Sequence, residues 1–490
     1  MKKMSLYMAL CLCFISLNSL ALEVYFPHSN PPEMLKCPNS AELNKPQPPK
    51  IEPVNELPKL EEVEAFFSEN NISVPLELDK LQTTASFYKW KRIGIWGDSH
   101  AAANFFSEAL IRAMGLDTQG VLPGFISPFV GSSGVRLPLR KVCKGNGWKM
   151  EHAYMSRNPK ATWSRALTRL RSQSPNAYLW IDFRSPQLAN TFKTIYIRLA
   201  YGINSPENAH ALVRLSINGK AAQLVEINTA QERILNIASE SPIATLQLEV
   251  IEGNIGIEGF IPYYNSNPSY IFDTFGIPGA TAKGLQFMEG SREDNEDPWP
   301  LYDLIIAEFG TNEGNNLNFN QEIYTADLRK SLSVLRKKYP NADCVLIGPT
   351  DRGVFVPRSR LMSKKVCTFI QEEGKKKGKK NSKKKQVCKI VPPPKIDMLP
   401  YARIHETISS TQANIAEEFG CQAWSWQAAM GGKGGVYRWL YRKPVLAQRD
   451  LIHLTAEGYK YSANLFLQKL WKMLDENSPS KAENLTKMAE

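Results

Sequence analysis

The stretch RIGIWGDSHAAANFF, residues 92–106, joins a short apolar run to an alanine-rich amphipathic pattern through Gly97–His100. The apolar run predicts a buried strand, and the spacing of Phe106 and Met114 on one face predicts a following helix. Ser99 is therefore expected where a strand meets a helix. A serine in that place is either an ordinary helix cap or a nucleophile held at the edge of a sheet.

The same alternation of apolar strands and amphipathic helices returns in the C-terminal half of the chain. It indicates an α/β fold with a parallel sheet that is covered by helices on both faces. Strands are predicted at 302–310, 342–349 and 421–426, and helices at 325–339, around 397–417 and in the terminal segment AEGYKYSANLFLQKLWKML.

Residues 150–262 have a different pattern, because polar and apolar residues alternate there with period two. The dipeptide Asn218-Gly219 is a strong hairpin signal. This block predicts an inserted all-β module, a small sandwich of a kind that often binds carbohydrate. Its aromatic residues fit a core as well as a binding face: Tyr178, Trp180, Tyr196 and Tyr201.

The N-terminus has the pattern of an export signal. MKKMSLYMALCLCFISLNSLALEV combines two lysines, an apolar core and small residues before a cleavage site near Ala21, so residues 1–21 are expected to be a signal peptide. No later apolar run is long enough to cross a bilayer. We therefore expect a secreted, periplasmic protein that does not span the membrane. Prolines predict an extended arm over 22–85, and residues 476–490 are expected to be a tail.

The net charge is +12, and removal of the signal peptide with its two lysines leaves +10. In an exported protein this excess favours contact with an anionic envelope polymer or a membrane surface over nucleic acid. Many lysines lie in GKKKGKKNSKKK, within a loop predicted over 368–392, which is either a solvated excursion or a tether to such a polymer. Cys367 and Cys388 flank its lysines and are expected to form a disulfide. No residue spacing fits a metal site, so no metal or cofactor is expected.

Near the C-terminus, RDLIHLTAEGY places Asp450 three residues before His453. A serine nucleophile needs a base to accept its proton, and the base needs a carboxylate that fixes its tautomer. Asp450 and His453 fit these two roles. They would fit equally well in a charged turn that caps the last helix.

Two further polar segments follow predicted strands. EFGTNEGNN places Asn312 at the carboxyl edge of a strand, where its amide could donate to a developing oxyanion. SYIFDTFGIPGATAKG places Gly276 and Gly279 after another strand, and a glycine lets its N–H approach an oxyanion closely. All three residues are also common in plain turns, so neither segment decides a function alone.

In chain order, these segments resemble the four blocks of the SGNH (GDSL-type) hydrolases. The resemblance implies a three-layer α/β/α domain, formed by residues 86–149 and 263–475 and interrupted by the β module. The matching segments are GDSH with Ser99, GIPGA with Gly279, GTNEG with Asn312, and DLIH with Asp450 and His453.

The resemblance also implies a role for each matched residue. Ser99 would be the nucleophile, His453 the base and Asp450 its orienting carboxylate. Three donors would form the oxyanion hole: the N–H groups of Ser99 and Gly279 and the side-chain amide of Asn312. Gly276 is the alternative glycine, and Gly279 is preferred because the family's glycine lies deeper in the loop. His100 has no assigned role and is expected to be structural.

A closer resemblance rests on SWQAAMGGKGGVYRW, on LAQRDLIHLTAEGY and on the position of the β module. Together they are similar to bacterial peptidoglycan O-acetylesterases. This implies a serine esterase that removes acetyl groups from the C-6 hydroxyl of muramoyl residues in O-acetylated glycan strands. The proline-rich arm and the lysine-rich loop match nothing in that family. Two alternatives stay open: an O-acetyltransferase that acts on the glycan, and a non-catalytic cell-wall-binding protein.

Overall fold

The structure is a computed structural model, and it describes residues 21–28, 55–74, 90–172, 175–200, 210–288, 301–357, 364–373, 382–391 and 395–476. Most of the predicted signal peptide, almost all of the predicted tail and the middle of the lysine-rich loop lie outside these residues. Within the described part of the chain, no helix is both long enough and apolar enough to span a bilayer.

The secondary structure alternates between strands and helices in the two outer parts of the chain and is almost entirely β between them. The strands are β1 Ala21–Phe26, β2 Asn55–Glu56, β3 Arg92–Gly97, β4 Val121–Leu122, β5 Lys141–Lys144, β6 Trp148–His152, β7 Thr168–Ser172, β8 Tyr178–Asp182, β9 Phe192–Leu199, β10 His210–Ile217, β11 Gln223–Asn228, β12 Ile234–Ser239, β13 Thr245–Gly253, β14 Ile255–Tyr264, β15 Tyr270–Gly276, β16 Leu304–Glu308, β17 Asp343–Ile347, β18 Val356–Pro357, β19 Lys364–Glu373, β20 Ser382–Val391 and β21 Gln422–Trp424. The α-helices are α1 Leu60–Glu69, α2 Ser99–Ala102, α3 Phe105–Ala113, α4 Gln321–Lys338, α5 Pro400–Glu418, α6 Trp426–Ala429, α7 Gly435–Tyr441 and α8 Ala456–Glu476.

A parallel sheet organises the α/β part of the molecule. Its strand order is β21-β17-β16-β3-β15-β4, and each neighbouring pair is parallel. The carboxyl ends of β3, β15 and β16 therefore meet at one edge, because Gly97 of β3 pairs with both Gly276 and Glu308. The predicted parallel sheet is confirmed.

Helices cover both faces of this sheet, which explains why its strands are apolar without interruption. In β16, Leu304 and Ile306 join one hydrophobic core, and Ile305 and Ala307 join another. The first core contains side chains of α3 and α8, and the second contains side chains of α4 and α5. Burial on both faces favours runs of apolar residues over alternation, and the result is a three-layer α/β/α arrangement.

The β module is a sandwich of two sheets. One has the order β1-β12-β9-β14-β7-β6 and the other β11-β10-β13-β8-β5. The predicted hairpin is confirmed, since Asn218 and Gly219 have φ values of 49° and 70° between β10 and β11. The sandwich strands begin before the expected boundary at residue 150, because β5 and β6 pair into its sheets. Of the four aromatic residues considered for it, Trp180 is buried, Tyr178 and Tyr196 are half-buried, and Tyr201 lies outside the described residues.

The described parts of the expected N-terminal arm are regular elements that pack on the body, which differs from the expectation of an extended arm over 22–85. Strand β1 pairs in parallel with β12 at the sandwich edge. Helix α1 buries Val63 and Phe67, one helical turn apart, in the same core as α3 and α8. The high proline content around α1 obscured this short amphipathic pattern in the sequence.

Among the described residues, two disulfides lie in the α/β part. Cys344–Cys421 ties β17 to the start of β21. Cys367–Cys388, the expected pair, links β19 to β20 in an antiparallel ribbon whose ends flank the lysine-rich segment. This pairing is confirmed.

Candidate active site

Ser99 is the first residue of α2, directly after β3. The cap of that helix is Asp98, which is fully buried and accepts the N–H of His100 at 2.9 Å. The cap role that the sequence left open for Ser99 therefore belongs to its neighbour. The hydroxyl of Ser99 does not cap the helix, and it lies at the carboxyl edge of the sheet.

An unbroken chain of hydrogen bonds links Ser99, His453 and Asp450. The distance from Ser99 Oγ to His453 Nε2 is 2.8 Å, and that from His453 Nδ1 to Asp450 Oδ2 is 2.6 Å. Because a carboxylate can only accept, Nδ1 carries the proton and Nε2 is left to accept the serine hydroxyl. The arrangement has the order and distances of a nucleophile, a base and an orienting carboxylate.

A tight turn brings Asp450 back onto His453. Leu451, between them, is buried and has a φ of 60°, in the left-handed region that non-glycine residues rarely adopt. The other carboxylate oxygen of Asp450 accepts the N–H groups of Ile452 and His453 at 3.0 and 2.9 Å. The carboxylate is thus held by backbone and side chain together.

The electrostatics of the pair follow from this contact. Partial burial opposes ionisation of Asp450, but the hydrogen bonds from His453 and from Ile452 lower its pKa to about 2. The hydrogen bond to Asp450 raises the pKa of His453, and partial burial opposes that shift. Asp450 is therefore ionised at neutral pH, and His453 is a stronger base than a free imidazole.

The expected oxyanion donors lie on the neighbouring loops. Asn312 Nδ2 donates to Ala280 O at 2.8 Å and, in a longer bond of 3.3 Å, to Asp98 Oδ2. The amide of Asn312 therefore bridges the loop after β15 and the turn that presents Ser99. In the described part of the chain, the N–H groups of Ser99 and Gly279 have no acceptor.

The structure distinguishes the two candidate glycines. A Cβ on Gly276 would lie 2.0 Å from the backbone nitrogen of Ala102, so this glycine is required for packing of β15 against α2. Gly279 lies beyond the strand with a φ of 83°, and a Cβ there would contact only Tyr154 Oη, at 3.4 Å. Gly279 thus has the free N–H and the open surroundings that an oxyanion donor needs.

Buried acids under the site were missed in the sequence. The N–H of Asp98 donates to Glu308 Oε2 at 3.2 Å, while Glu308 Oε1 has no partner among the described residues. Burial raises the pKa of Asp98 to about 6 and that of Glu308 well above its usual range. Burial also raises the pKa of Glu313 to about 7. For Glu308, the sequence offered one signal: it is the only acid inside the apolar run LIIAEFG.

His100 is buried behind His453, with the two ring centroids 5.1 Å apart. Its Nδ1 lies 3.0 Å from Tyr459 Oη, and its Nε2 lies 3.4 Å from Thr350 Oγ1. Burial lowers the pKa of His100 well below its usual value, so the ring stays neutral. A neutral, enclosed imidazole packs beside His453 without adding charge.

No protein-family model matches the sequence, and no curated protein sequence matches it. Solved structures do match. A peptidoglycan O-acetylesterase structure is 18% identical over 79% of this chain and 92% of that one, with a TM-score of 0.51. A carbohydrate esterase family 2 enzyme with its carbohydrate-binding domain, from Myceliophthora fergusii, is 11% identical over 67% of this chain and 98% of that one, with a TM-score of 0.26. A putative GDSL-like lipase from Parabacteroides merdae is 17% identical over 41% and 72%, with a TM-score of 0.25. The chain has an SGNH hydrolase-like fold.

Proposed function

We propose that this chain, which has an SGNH hydrolase-like fold, is a serine esterase that removes O-acetyl groups from a cell-envelope polysaccharide. The observation that carries the proposal is the continuous hydrogen-bonded chain from Ser99 through His453 to Asp450. This chain joins a hydroxyl, an imidazole and a carboxylate from opposite ends of the sequence, in the order that nucleophilic catalysis requires.

The reaction has two acyl-transfer steps. Ser99 gives its proton to His453 Nε2 while Oγ attacks the acetyl carbonyl carbon. The tetrahedral intermediate collapses, the bond between the acetyl carbon and the glycan oxygen breaks, and His453 gives its proton to that oxygen, which leaves as a hydroxyl. Water then loses a proton to His453 and attacks the acetyl group on Ser99, so that acetate leaves and the serine hydroxyl is restored.

Three donors stabilise the oxyanion in both steps: the N–H groups of Ser99 and Gly279 and the amide of Asn312. The amide of Asn312 donates two hydrogen bonds, and the one to Asp98 is longer than the one to Ala280 O. The oxyanion therefore replaces Asp98 as the acceptor of one Asn312 N–H. Of these donors, the N–H of Ser99 belongs to the first turn of α2, where a backbone N–H has no partner within the helix.

Peptidoglycan is our preferred substrate, with acetyl on the C-6 hydroxyl of muramoyl residues. Support comes from the solved peptidoglycan O-acetylesterase, whose match covers 79% of this chain and 92% of that one. A periplasmic location, after cleavage near Ala21, fits this substrate. Cleavage there would leave Leu22–Phe26 to pair with β12.

The test compares acetate release from O-acetylated peptidoglycan and from acetylated xylan. The wild-type chain should release acetate from peptidoglycan, and Ser99→Ala should lower turnover by about 10⁴-fold or more. Ser68→Ala, on the exposed face of α1, is the matched control and should behave as wild type. Full esterase activity in Ser99→Ala would refute the mechanism.

The same reaction mixture separates the two alternatives. An O-acetyltransferase would transfer the acetyl group to an added chito-oligosaccharide in place of releasing acetate. A non-catalytic cell-wall-binding protein would retain insoluble peptidoglycan without consuming its acetyl groups.

A further inference from the structure

One cation beside the proposed catalytic residues takes no part in the mechanism above. Arg352 lies in the loop after β17, which contacts the Asp450 turn: the N–H of Gly353 donates to Leu451 O at 3.0 Å. Partial burial lowers the pKa of Arg352, and the nearby Tyr401 and Asp450 oppose that shift. The guanidinium is therefore close enough to Asp450 for their charges to interact.

Two contacts fix the guanidinium in place. Its central carbon lies 3.8 Å from the centroid of the Tyr401 ring, on α5. Its Nη1 donates to Asn315 Oδ1 in the loop that also carries Asn312. Arg352 thus lies between the loop of the proposed oxyanion donor and the turn of the proposed base. A stacked guanidinium held by a neutral amide is oriented without being neutralised.

Arg352 lacks the carboxylate partner that several other arginines of the α/β part have. Arg329, Arg403 and Arg438 each form an ion pair with an acid. Within the described ranges, Arg352 has no carboxylate oxygen within 4 Å, and its buried Nε has no acceptor. A half-buried guanidinium has lost part of its hydration, so it gains strongly from an added anion.

We propose that Arg352 binds a carboxylate of the substrate, so that the site selects acetylated glycans carrying an acidic group near the ester. This inference rests on the proposed esterase function and narrows its substrate class. The planar guanidinium can donate two parallel N–H bonds to a carboxylate. A neutral acetylated glycan such as xylan leaves the arginine without a partner.

The experiment uses a matched pair of acetylated muramoyl oligosaccharides, one with free carboxyl groups and one with the same groups amidated. The ratio of kcat/KM between the two is measured for the wild type, Arg352→Gln, Arg352→Lys and the control Arg329→Gln. We expect the wild type to prefer the acidic oligosaccharide by about 10- to 100-fold. Arg352→Gln should bring the ratio close to one, Arg352→Lys should keep an intermediate ratio, and Arg329→Gln should keep the wild-type ratio.

Binding to the Ser99→Ala chain separates this inference from the proposed function. Binding of both oligosaccharides is measured by calorimetry. Ser99→Ala should bind the acidic oligosaccharide more tightly than the amidated one, and Ser99→Ala/Arg352→Gln should lose this preference. That result supports the carboxylate site even if no acetate is released. A wild-type chain that does not discriminate, or a preference that survives in folded Arg352→Gln, overturns the inference. The inference is also overturned if Arg352→Gln shifts the acid limb of the pH profile but still prefers the acidic oligosaccharide. Arg352 would then act only on Asp450 and His453.

Discussion

The candidate active site and the β19–β20 ribbon are held together in opposite ways. The site is assembled from residues far apart in sequence, and the acids beneath it, Asp98 and Glu308, are 0% and 1% exposed. The ribbon consists of two neighbouring strands, and its Phe369 and Ile390 side chains are 68% and 76% exposed. Its strands are held by their own ladder and by one disulfide. The comparison teaches that sheet topology fixes the site, whereas local pairing fixes the ribbon.

The largest expected effect comes from breaking the site at Asp450. Asp450→Asn should lower kcat by about 10⁴-fold, because an amide can favour the wrong imidazole tautomer. The wild-type pKa of His453 is raised mainly by its hydrogen bond to Asp450. The base must be neutral, so wild-type activity falls as the pH drops through that raised pKa. In Asp450→Asn the acid limb of residual activity should move to lower pH.

A pH–rate profile of kcat/KM on an aryl acetate measures this shift. Asp397→Asn, at an exposed ion pair with Arg403, is a suitable control and should keep the wild-type limb. An acid limb that stays in place in Asp450→Asn would mean that His453 is not the group that titrates.

Next in size is the contrast between the two disulfides. Cys344–Cys421 closes a loop of 77 residues between buried strands, so its removal by Cys344→Ala/Cys421→Ala should destabilise folding by about 4 kcal/mol. The pair Cys367→Ala/Cys388→Ala should leave the main unfolding transition unchanged, because the described ribbon side chains are largely exposed. Calorimetric or denaturant unfolding of both double variants provides the measurement. Equal destabilisation by the two would show that the ribbon belongs to the cooperative core.

A smaller effect is expected at the oxyanion loops. Asn312→Ala should lower kcat by about 10²–10³-fold with little change in KM, because the lost donor acts on charge that develops only in the transition state. The two glycines sharpen the assignment. Gly276→Ala should impair folding because of its clash with the α2 backbone. Gly279→Ala keeps its N–H but strains the backbone at a φ of 83°, so it should fold with reduced stability and lose activity as the N–H turns away from the oxyanion.

Steady-state kinetics and thermal unfolding of these three variants distinguish the roles. If Gly279→Ala remains folded and keeps full activity, the left-handed backbone at residue 279 is not needed to aim a donor at the oxyanion.

Much of this organisation could be predicted from the sequence. Uninterrupted apolar runs gave the parallel strands, and Asn218-Gly219 gave a hairpin, because both depend on local chemistry. The resemblance assigned Ser99, Asn312 and the Asp450–His453 turn to one site. No pattern in the sequence alone places residues so far apart within hydrogen-bonding distance.

Other features could not be predicted, for physical reasons. The residue that caps α2 is decided by backbone geometry. The sequence therefore could not show that Asp98, and not Ser99, is the cap. The choice between Gly276 and Gly279 depends on whether α2 packs against the glycine, which is a tertiary contact. Arg352 lies in an unremarkable loop of the sequence, and its lack of an acidic partner is visible only when its neighbours are known.

The smallest expected effect concerns the lysines carried by the ribbon. Replacing the five lysines within 374–381 by glutamine removes positive charge without altering the described strands β19 and β20. If the loop is a tether to an anionic polymer, affinity for peptidoglycan sacculi should fall by a few-fold at low salt. The difference should vanish near 1 M salt, where the screening length is about 3 Å. Sedimentation with insoluble sacculi, measured at both salt concentrations, provides the test. Equal retention of the variant and the wild type at low salt would mean that the loop is a solvated excursion, and the ribbon would then have no part in substrate capture.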